Sequence, residues 1–332
     1  MIKIGMIGCG GIASQHLAAI RSLSGRCSLD AVFDEDPSRA KRLIAEPAST
    51  AIVGTAEELL AGDIDAVIIG VPNRFHAEYV TLAAERGLAI LCEKPAADMV
   101  EGAYRMVEAV DKARVVNMIG FENRYHAGVQ RLHKLVASGS LGAVFAYREI
   151  CSGARLVNSS VGMEWRMRDT VSGAGAVADF GSHSLDMATW MLEAQCGPLV
   201  QIHGSLGTFV KRQNEYPTND DMAIVTGRFA SGALLSILDS RVGPGAYQVE
   251  VLAANGYAAF DIRNPKEVSV KWYAEEHPDT PSASDDNLSP NPFAVQLGLF
   301  LTAIENGDSA QPDFRTAYKV QRLIDTVCRS SV

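Results

Sequence analysis

The chain has 332 residues, 47% hydrophobic and 21% charged, which is typical of globular proteins and long enough for two domains. Its formal net charge of −9, from 30 basic and 39 acidic residues, argues against a nucleic acid or an anionic membrane as partner. The six cysteines are scattered without a CxxC pair, so we expect neither a disulfide framework nor a zinc site, but free thiols in the cytoplasm.

The first residues, MIKIGMIGCGGIA, are apolar enough to suggest a secretory signal, but glycines interrupt the apolar run after a few positions. No stretch reaches the roughly 18 apolar residues that a membrane span needs. We therefore interpret this start as the first strand and expect no export.

Residues 1–123 alternate between short apolar runs and helical periodicity. The predicted strands are Ile2–Ile7, Leu29–Phe33, Ala51–Val53, Ala66–Ile69, Leu88–Cys92 and Val115–Ile119. The predicted helices are Ile12–Leu23, a segment from Pro37 to Ile44, Glu57–Leu60, Phe75–Arg86 and Met99–Lys112. Continuously apolar strands separated by helices indicate a parallel sheet covered on both faces. The pattern predicts an α/β, doubly wound dinucleotide-binding (Rossmann) domain over residues 1–123.

Residues 124–332 have a different pattern, in which strand-like segments follow one another. The predicted strands are Val144–Ile150, Val200–Val210, Met222–Phe229, Ala233–Asp239, Tyr247–Ala253, Ala258–Ile262 and Val268–Tyr273. The predicted helices are Val129–Val136, Ser184–Leu192, Phe293–Asn306 and Thr316–Cys328, with an exposed loop at 277–292. We expect an α+β domain with a large, mostly antiparallel open sheet, and the closing helices could pack back on the first domain.

The segment Gly8-Cys9-Gly10-Gly11-Ile12-Ala13 fits G-x-G-x-x-G/A, directly after a predicted strand and at the start of a helix. In this motif Gly8 permits the tight turn, Gly10 lets the backbone approach a pyrophosphate, and Ala13 allows close helix–strand packing. The helix N-terminus, which begins at Gly11 and Ile12, offers N–H groups to the phosphates.

Asp34 stands at the end of the second predicted strand, about 21 residues beyond Ala13. A carboxylate there can accept both ribose hydroxyls of the adenosine half and would repel a 2′-phosphate. The alternative is that Asp34 caps the helix beginning near Pro37. Because Glu35, and not a basic residue, follows Asp34, the sequence favours NAD over NADP.

The loop after the fourth predicted strand contains Val71, Pro72 and Asn73 and should border the cofactor, because ligands bind beyond the carboxyl ends of parallel strands. Asn73 could hydrogen-bond a ribose or the nicotinamide side, or simply cap the next helix. His76 falls one turn into that helix, where a structural role is the simpler interpretation.

The fifth predicted strand ends in Glu93-Lys94-Pro95. A solvated ion pair at a strand end is the simplest interpretation of these charges. However, Pro95 restrains the backbone at Lys94, and a positioned ammonium near a carbinol would stabilise alkoxide charge.

A second group of polar residues occurs in the other domain, where Asp179 and His183 fall close to the start of a predicted helix. His183 and Asp186, three residues apart, would share a helix face. A histidine beside a carboxylate can act as general base, but a buried structural pair is an equally good interpretation. No further histidine or cysteine nearby completes a metal site, so we predict none.

Taken together, these motifs resemble the glucose–fructose oxidoreductase, inositol dehydrogenase and MocA family (Gfo/Idh/MocA). The matching segments are GCGGIA at 8–13, PNRFH at 72–76, CEKP at 92–95, SGSLG at 138–142, EWR at 164–166, GAGAVADFGSHSLD at 173–186 and FAVQLGLFLTAIENG at 293–307. The combination of EKP with the D-x-G-x-H-x-x-D segment is highly specific.

The resemblance implies that Lys94 binds and polarises the reacting hydroxyl, and that Asp179 and His183 are catalytic, with His183 as proton acceptor. It also implies a sugar, inositol or other polyol substrate and a homodimer or homotetramer formed through the second sheet. Glu93 is expected to lie at the cofactor and hold Lys94.

Further substrate contacts are expected from the same resemblance. Glu122 and Arg124 belong to a segment that borders the substrate pocket in the family, and Glu122 departs from the common pattern there. Trp165 and Arg166 are further candidate contacts, although Trp165 could equally be a core residue.

Three functions follow from this pattern. The first is an NAD-dependent dehydrogenase of a secondary alcohol. The second is a non-catalytic, NAD(P)-sensing regulator on the same fold, which the presence of Lys94, Asp179 and His183 disfavours. The third is an elimination or glycoside cleavage driven by transient oxidation with bound NAD.

Overall fold

The computed structural model describes residues 1–44, 50–213, 215–276 and 291–331. The chain forms two compact units, the first comprising Met1–Glu122 and Asn291–Gln321. The second unit begins at Asn123 and resumes at Arg322. Most of the loop predicted at 277–292, residues 277–290, lies outside the described residues, and Asn291 is the N-cap of the next helix.

The first unit contains a parallel sheet of six strands in the order β3-β2-β1-β4-β5-β6. The strands are β1 Ile2–Ile7, β2 Cys27–Phe33, β3 Ala51–Ile52, β4 Ala66–Ile69, β5 Ala89–Cys92 and β6 Asn117–Ile119. The helices are α1 Ala13–Ser22, α2 Pro37–Leu43, α3 Ala56–Leu60, α4 His76–Glu85 and α5 Val100–Ala113. The predicted doubly wound fold is therefore confirmed.

The central strands are apolar along their whole length because both of their faces are covered. Every residue of β4 and of β5 is buried. The helix Pro292–Asn306 joins the same core through Leu297, Phe300 and Leu301, each fully buried. Burial of side chains this size contributes roughly 1.5–3 kcal/mol each.

The carboxyl ends of the strands form one edge of this sheet, and the strand order reverses between β1 and β4. Backbone hydrogen bonds fix the loops there: Gly8 N to Phe33 O at 2.8 Å, Gly70 N to Ile7 O at 2.8 Å, Glu93 N to Ile69 O at 2.9 Å, and Gly120 N to Cys92 O at 2.8 Å. In doubly wound sheets this edge is where ligands bind.

The second unit contains a sheet of seven strands in the order β13-β12-β11-β7-β10-β9-β8, antiparallel except for the β7–β10 pair. The strands are β7 Val144–Ser152, β8 Leu199–Gly207, β9 Met222–Phe229, β10 Leu234–Ser240, β11 Ala246–Ala253, β12 Gly256–Asp261 and β13 Ser269–Trp272. The mostly antiparallel sheet predicted for this region is confirmed.

The helices that accompany this sheet are α6 Ala127–Ala137, α7 Asp169–Ser172, α8 Ala176–Asp179 and α9 Gly181–Cys196. The prediction of Ser184–Leu192 was short at both ends, and α7 and α8 were not predicted because four residues are too few to show helical periodicity. Pro292–Asn306 is α10, and the last helix, α11, spans Phe314–Ser330; the division between the units falls within it.

The two faces of the second sheet differ in character. Tyr147, Glu149 and Asp239 are buried on the face that carries α9. The opposite face exposes Arg148, Ile224, Leu234 and alternate neighbours along each strand. This alternation is typical of an antiparallel sheet with a single covered face.

Candidate active site

The glycine loop after β1 fits a dinucleotide phosphate. Gly8 has φ +95, and a Cβ added there would lie 2.5 Å from the carbonyl oxygen of Gly70. Only glycine is compatible with that position. At Gly10 and Gly11 an added Cβ would meet no atom within 4 Å, so the loop presents bare backbone to the space above it.

The N-terminus of α1 is not capped by a side chain, and its first turn carries no acidic residue. By contrast, α2 is capped by Asp36, which accepts a hydrogen bond from Ser38 N at 3.0 Å. An N-terminus without a side-chain cap, and the positive end of the helix dipole at α1, suit a pyrophosphate. The residues of this loop therefore fit the dinucleotide that the sequence predicts.

Asp34 links β2 to the glycine loop. Its Oδ2 accepts a hydrogen bond from Cys9 N at 2.7 Å, and its Oδ1 accepts one from Asp36 N at 2.9 Å. The interpretation of Asp34 as the cap of α2 is wrong, because Asp36 is that cap. Each Asp34 oxygen keeps a lone pair that can accept a ribose hydroxyl.

The loop after β4 is tied to the turn after β5 by His76. This side chain is fully buried, with Nε2 2.9 Å from Val71 O and Nδ1 3.0 Å from Pro95 O. Burial lowers the pKa of His76, against the two carbonyls, which raise it. His76 thus holds the loop after β4 against the backbone that follows Lys94, and its direct contact with a cofactor stays a prediction.

Pro72 and Asn73 form the start of a 3-10 turn, Asn73–Phe75, that precedes α4. Asn73 is 5% exposed, and the N-cap residues of this turn and of α4, Pro72 and Phe75, make no side-chain cap. The two roles considered for Asn73, as a cap and as a contact of the ribose or nicotinamide, stay predictions.

Glu93 is not a solvated residue at a strand end. It is 6% exposed, and its Oε1 lies 2.8 Å from Nε2 of His16, a buried residue of α1. Burial raises the pKa of Glu93, but the His16 hydrogen bond and the charges of His16 and Lys94 lower it below its ordinary value. The solvated-pair interpretation is therefore wrong for Glu93, which is held as a buried carboxylate.

Lys94 and Glu122 complete a polar cluster with Glu93. Lys94 is half-buried, and its backbone N lies 3.3 Å from Oε2 of Glu93. Glu122 opens the 3-10 turn that follows β6. Burial and the charge of Glu93 together raise the pKa of Glu122 to about 8, against the charge of Lys94, which lowers it. At neutral pH Glu122 therefore carries a proton.

In the second unit, Asp179 ends α8 and His183 lies in the first turn of α9. The carboxylate of Asp220 caps α8, accepting hydrogen bonds from Gly175 N at 2.6 Å and Val177 N at 2.9 Å. A Cβ at Gly175 would lie 1.9 Å from the Asp220 carbonyl oxygen, so glycine is required there. Sequence reasoning missed Asp220, whose only signal is an acidic pair before a strand.

Asp186 is paired with Arg124. Arg124 donates from Nε to Asp186 Oδ2 at 2.6 Å and from Nη2 to Oδ1 at 2.5 Å, and both side chains are buried. The Arg124 guanidinium also lies 5.0 Å from the Trp190 ring centroid. Breaking such a buried pair costs about 3–5 kcal/mol, so Arg124 stabilises the fold by neutralising Asp186. Its contact with substrate stays a prediction.

Trp165 and Arg166 are half-buried and adjacent, with the Arg166 guanidinium 4.3 Å from the Trp165 ring centroid. The carbonyl oxygen of Arg166 accepts a hydrogen bond from Arg241 Nη1 at 2.6 Å. Burial lowers the pKa of Arg241, and the charge of Asp179 raises it. Arg241 is thus a buried cation within electrostatic reach of Asp179 that the sequence did not reveal.

Three further observations concern the described part of the chain. It contains no cluster of three or more His, Cys, Asp or Glu side chains that could hold a metal ion. None of its helices is long and apolar enough to cross a membrane. The six cysteines, all within the described ranges, are not joined in disulfides.

The fold and the glycine loop define an NAD-binding Rossmann protein. Residues 2–121 match the family model described as "Oxidoreductase family, NAD-binding Rossmann fold", and residues 129–259 match "GFO/IDH/MocA C-terminal domain". The chain belongs to the Gfo/Idh/MocA family of oxidoreductases, as the motifs predicted.

Curated relatives and solved structures agree with this assignment. Levoglucosan dehydrogenase of Pseudarthrobacter phenanthrenivorans is 26% identical over 315 residues, covering 81% of this chain and 78% of that protein. Inositol 2-dehydrogenase of Ralstonia nicotianae is 27% identical, covering 99% of this chain and 94% of that protein. A structure of levoglucosan dehydrogenase in complex with NADH has a TM-score of 0.89 at 23% identity, covering 99% of this chain and 96% of that chain.

Proposed function

We propose that the chain is an NAD-dependent dehydrogenase that oxidises a secondary alcohol of a sugar, inositol or related polyol. The observation that carries this proposal lies at one edge of the first sheet. The bare glycine loop follows β1, Asp34 ends β2, and Lys94 follows β5, all at the carboxyl ends of parallel strands. A dinucleotide site and a cation that can hold an alcohol oxygen thus share that edge.

The bound nicotinamide supplies the hydride acceptor. The ammonium of Lys94 donates a hydrogen bond to the alcohol oxygen and stabilises negative charge that develops there. His183 accepts the hydroxyl proton as general base, and Asp179 orients it. In this mechanism Glu93 keeps Lys94 in place, while Glu122, Arg124, Trp165 and Arg166 contact the substrate.

The substrate class rests on the relatives. Those cited above act, by their names, on levoglucosan and on inositol, both of which are neutral and rich in hydroxyl groups. At neutral pH a protonated Glu122 suits such a substrate, because a carboxylic acid can both donate and accept a hydrogen bond with a hydroxyl.

The proposal is tested by assaying myo-inositol, levoglucosan and L-sorbose in parallel with NAD and NADP. We expect reduced-nicotinamide absorbance to rise with NAD and one or more of these compounds, and more slowly with NADP. Product formed without net reduction would point instead to redox-assisted elimination. Nucleotide binding without turnover of any sugar, inositol or sugar acid would point to a regulator.

We also propose a homodimer or homotetramer formed through the open face of the second sheet, and a cytoplasmic location. The exposed apolar side chains Ile224 and Leu234 on that face support the first proposal, and cysteines that are not joined in disulfides support the second. Sedimentation velocity of the wild type and of Leu234→Glu tests the assembly. The wild type should sediment as an oligomer and the variant as a monomer; a monomeric wild type would contradict the proposal.

A further inference from the structure

A buried group of polar side chains lies in the second unit, away from its open sheet face. Asn219 and Asp220 come shortly before β9 and are 8% and 6% exposed, and Arg241 directly follows β10 and is 2% exposed. These three residues form one polar network, called the Arg241 network. Polar groups buried to this degree are hydrogen-bonded in folded proteins, and a satisfied network holds its members in one arrangement.

The Arg241 network holds the backbone of Arg166 with two donors. The carbonyl oxygen of Arg166 accepts hydrogen bonds from Arg241 Nη1 at 2.6 Å and from Asn219 Nδ2 at 3.0 Å. The same Asn219 amide group donates to Ser172 Oγ, the last residue of α7, at 2.9 Å. The segment from Arg166 to Ser172 is therefore tied at both ends to one side chain.

Arg241 decides which way the Asn219 amide points. A guanidinium can only donate hydrogen bonds, and Arg241 Nη2 lies 2.8 Å from Asn219 Oδ1. The NH2 group of Asn219 must then face the oxygens of Arg166 and Ser172. A carboxylate at position 219 would still accept from Arg241 but would have no hydrogen to donate to the Arg166 carbonyl.

The Arg241 network also holds α8. Arg241 Nη2 donates to the carbonyl oxygen of Asp220 at 2.6 Å, and this oxygen also accepts a hydrogen bond from Ala176 N at 2.9 Å. The carboxylate of Asp220 caps the same helix. Because α8 is a single turn that ends at Asp179, Asp220 and Arg241 fix the helix that carries this side chain.

The shape of the Arg241 side chain matters more to these contacts than its charge. The three hydrogen bonds that its two Nη atoms donate go to uncharged oxygens, on Arg166, Asn219 and Asp220. Its contact with the carboxylate of Asp221 is longer, at 4.0 Å. A planar guanidinium reaches oxygens on two sides at once, whereas a lysine ammonium is a single point charge.

We propose that Asn219 and Arg241 are positioning residues for Arg166 and Asp179. This inference rests on the proposed function, in which Arg166 contacts the substrate and Asp179 orients His183. The network holds Arg166 through its carbonyl oxygen and not through its guanidinium, which the proposed function assigns to the substrate. Since the same two side chains hold the Arg166 backbone and α8, loss of the network displaces both together.

The first test is hydrogen–deuterium exchange of the full chain, measured by mass spectrometry in the variant Asn219→Asp. We expect peptides covering residues 166–179 to exchange about 5-fold faster or more than in the wild type, because the donor to the Arg166 carbonyl is lost. Peptides of the first unit should exchange at the wild-type rate. Unchanged exchange at 166–179, or equally faster exchange throughout the chain, would overturn the proposal.

The control is Asn255→Asp, which removes an amide donor to another backbone carbonyl of the same unit. Asn255 Nδ2 lies 3.1 Å from the carbonyl oxygen of Ser140. This variant should exchange at the wild-type rate in residues 166–179. Equal acceleration there by both variants would contradict a specific role of Asn219.

Turnover of whichever of myo-inositol, levoglucosan and L-sorbose the wild type oxidises gives the second measurement. Asn219→Asp and Arg241→Lys should each lower kcat/KM for that compound about 10-fold, with the Kd for NADH unchanged. Wild-type kcat/KM in both variants would show that the network positions nothing that the reaction uses. A wild type that oxidises no polyol contradicts the proposed function, whereas unchanged exchange at 166–179 contradicts this inference alone.

Discussion

Glu93 and Asp239 are buried carboxyl groups in two different units, and their surroundings shift their pKa values in opposite directions. Glu93 lies 2.8 Å from the ring of His16 and close to Lys94, so its pKa is lowered despite burial. Burial and the charge of Glu149 raise the pKa of Asp239, against the hydrogen bond that Ser184 donates to it. The comparison teaches that burial alone does not decide the charge of a carboxyl; the nearest cation does.

The largest expected effect follows from removing the charge of Glu93. Glu93→Gln should lower the free energy of unfolding by about 3 kcal/mol at neutral pH, because His16 and Lys94 lose their buried carboxylate partner. A carboxylate whose pKa is lowered by folding stabilises the fold at pH values above its pKa in the unfolded state. This stabilisation is lost as the pH falls through its pKa in the folded state. The deficit measured by denaturant unfolding should therefore shrink in acid.

The exposed Glu78 on α4 supplies the control for this comparison. Glu78→Gln should change the unfolding free energy by less than about 0.5 kcal/mol. If Glu93→Gln is as mild as this control, the description of Glu93 as a buried, paired carboxylate is wrong.

An intermediate effect is expected at Glu122, whose pKa of about 8 is raised by burial and by the charge of Glu93. As the pH rises through 8, its ionisation places a negative charge near Lys94 and weakens stabilisation of the alkoxide. kcat/KM of the wild type should therefore fall several-fold, about 3–10-fold, at alkaline pH.

Glu122→Gln keeps the size of the side chain and removes the ionisation. Its kcat/KM should not show that alkaline fall, and its stability should be less sensitive to pH than that of the wild type. For a carboxyl group whose pKa is raised by folding, the contribution to stability is complete below its unfolded-state pKa of 4.5. This contribution is lost as the pH rises through its folded-state pKa of about 8. An identical alkaline limb in the variant would assign the fall to another group.

The smallest effect is expected at Asp239. Asp239→Asn replaces a neutral acid by a neutral amide of the same size, and its oxygen can still accept the Ser184 hydrogen bond. We expect a change of less than about 1 kcal/mol in the free energy of unfolding at neutral pH. A loss comparable to that of Glu93→Gln would show that Asp239 is ionised and would remove the contrast between the two units.

Much of the fold could be predicted from the sequence, because its signals are local. Continuously apolar runs such as Ala66–Ile69 predicted a parallel sheet, and G-x-G-x-x-A predicted the turn at Gly8. The short helices α7 and α8 escaped prediction because each has only four residues. The sequence also placed the start of α9 three residues late, since Gly181 does not look like a helix residue.

The candidate site was only partly predictable, because its electrostatics depend on contacts between distant residues. His16 and Glu93 are 77 positions apart, and Ser184 and Asp239 are 55 apart. Alternation along β10 predicts on which side Asp239 lies, but not that a serine donates to it. For the same reason Asp186 looked like the partner of His183, whereas Arg124 binds it through two hydrogen bonds.

The central claim, that Lys94 serves hydride transfer to NAD, is tested most directly with carbon-deuterated myo-inositol or levoglucosan. With the wild type, mass spectrometry of the recovered dinucleotide should find deuterium in proportion to the ketone formed. The same result is expected for the control variant Lys112→Ala, which changes an exposed lysine of α5. In Lys94→Ala transfer should slow by about 100-fold or more, while NADH binding measured by fluorescence is retained. Undiminished transfer by Lys94→Ala, or ketone formed without label in the dinucleotide, would contradict the account.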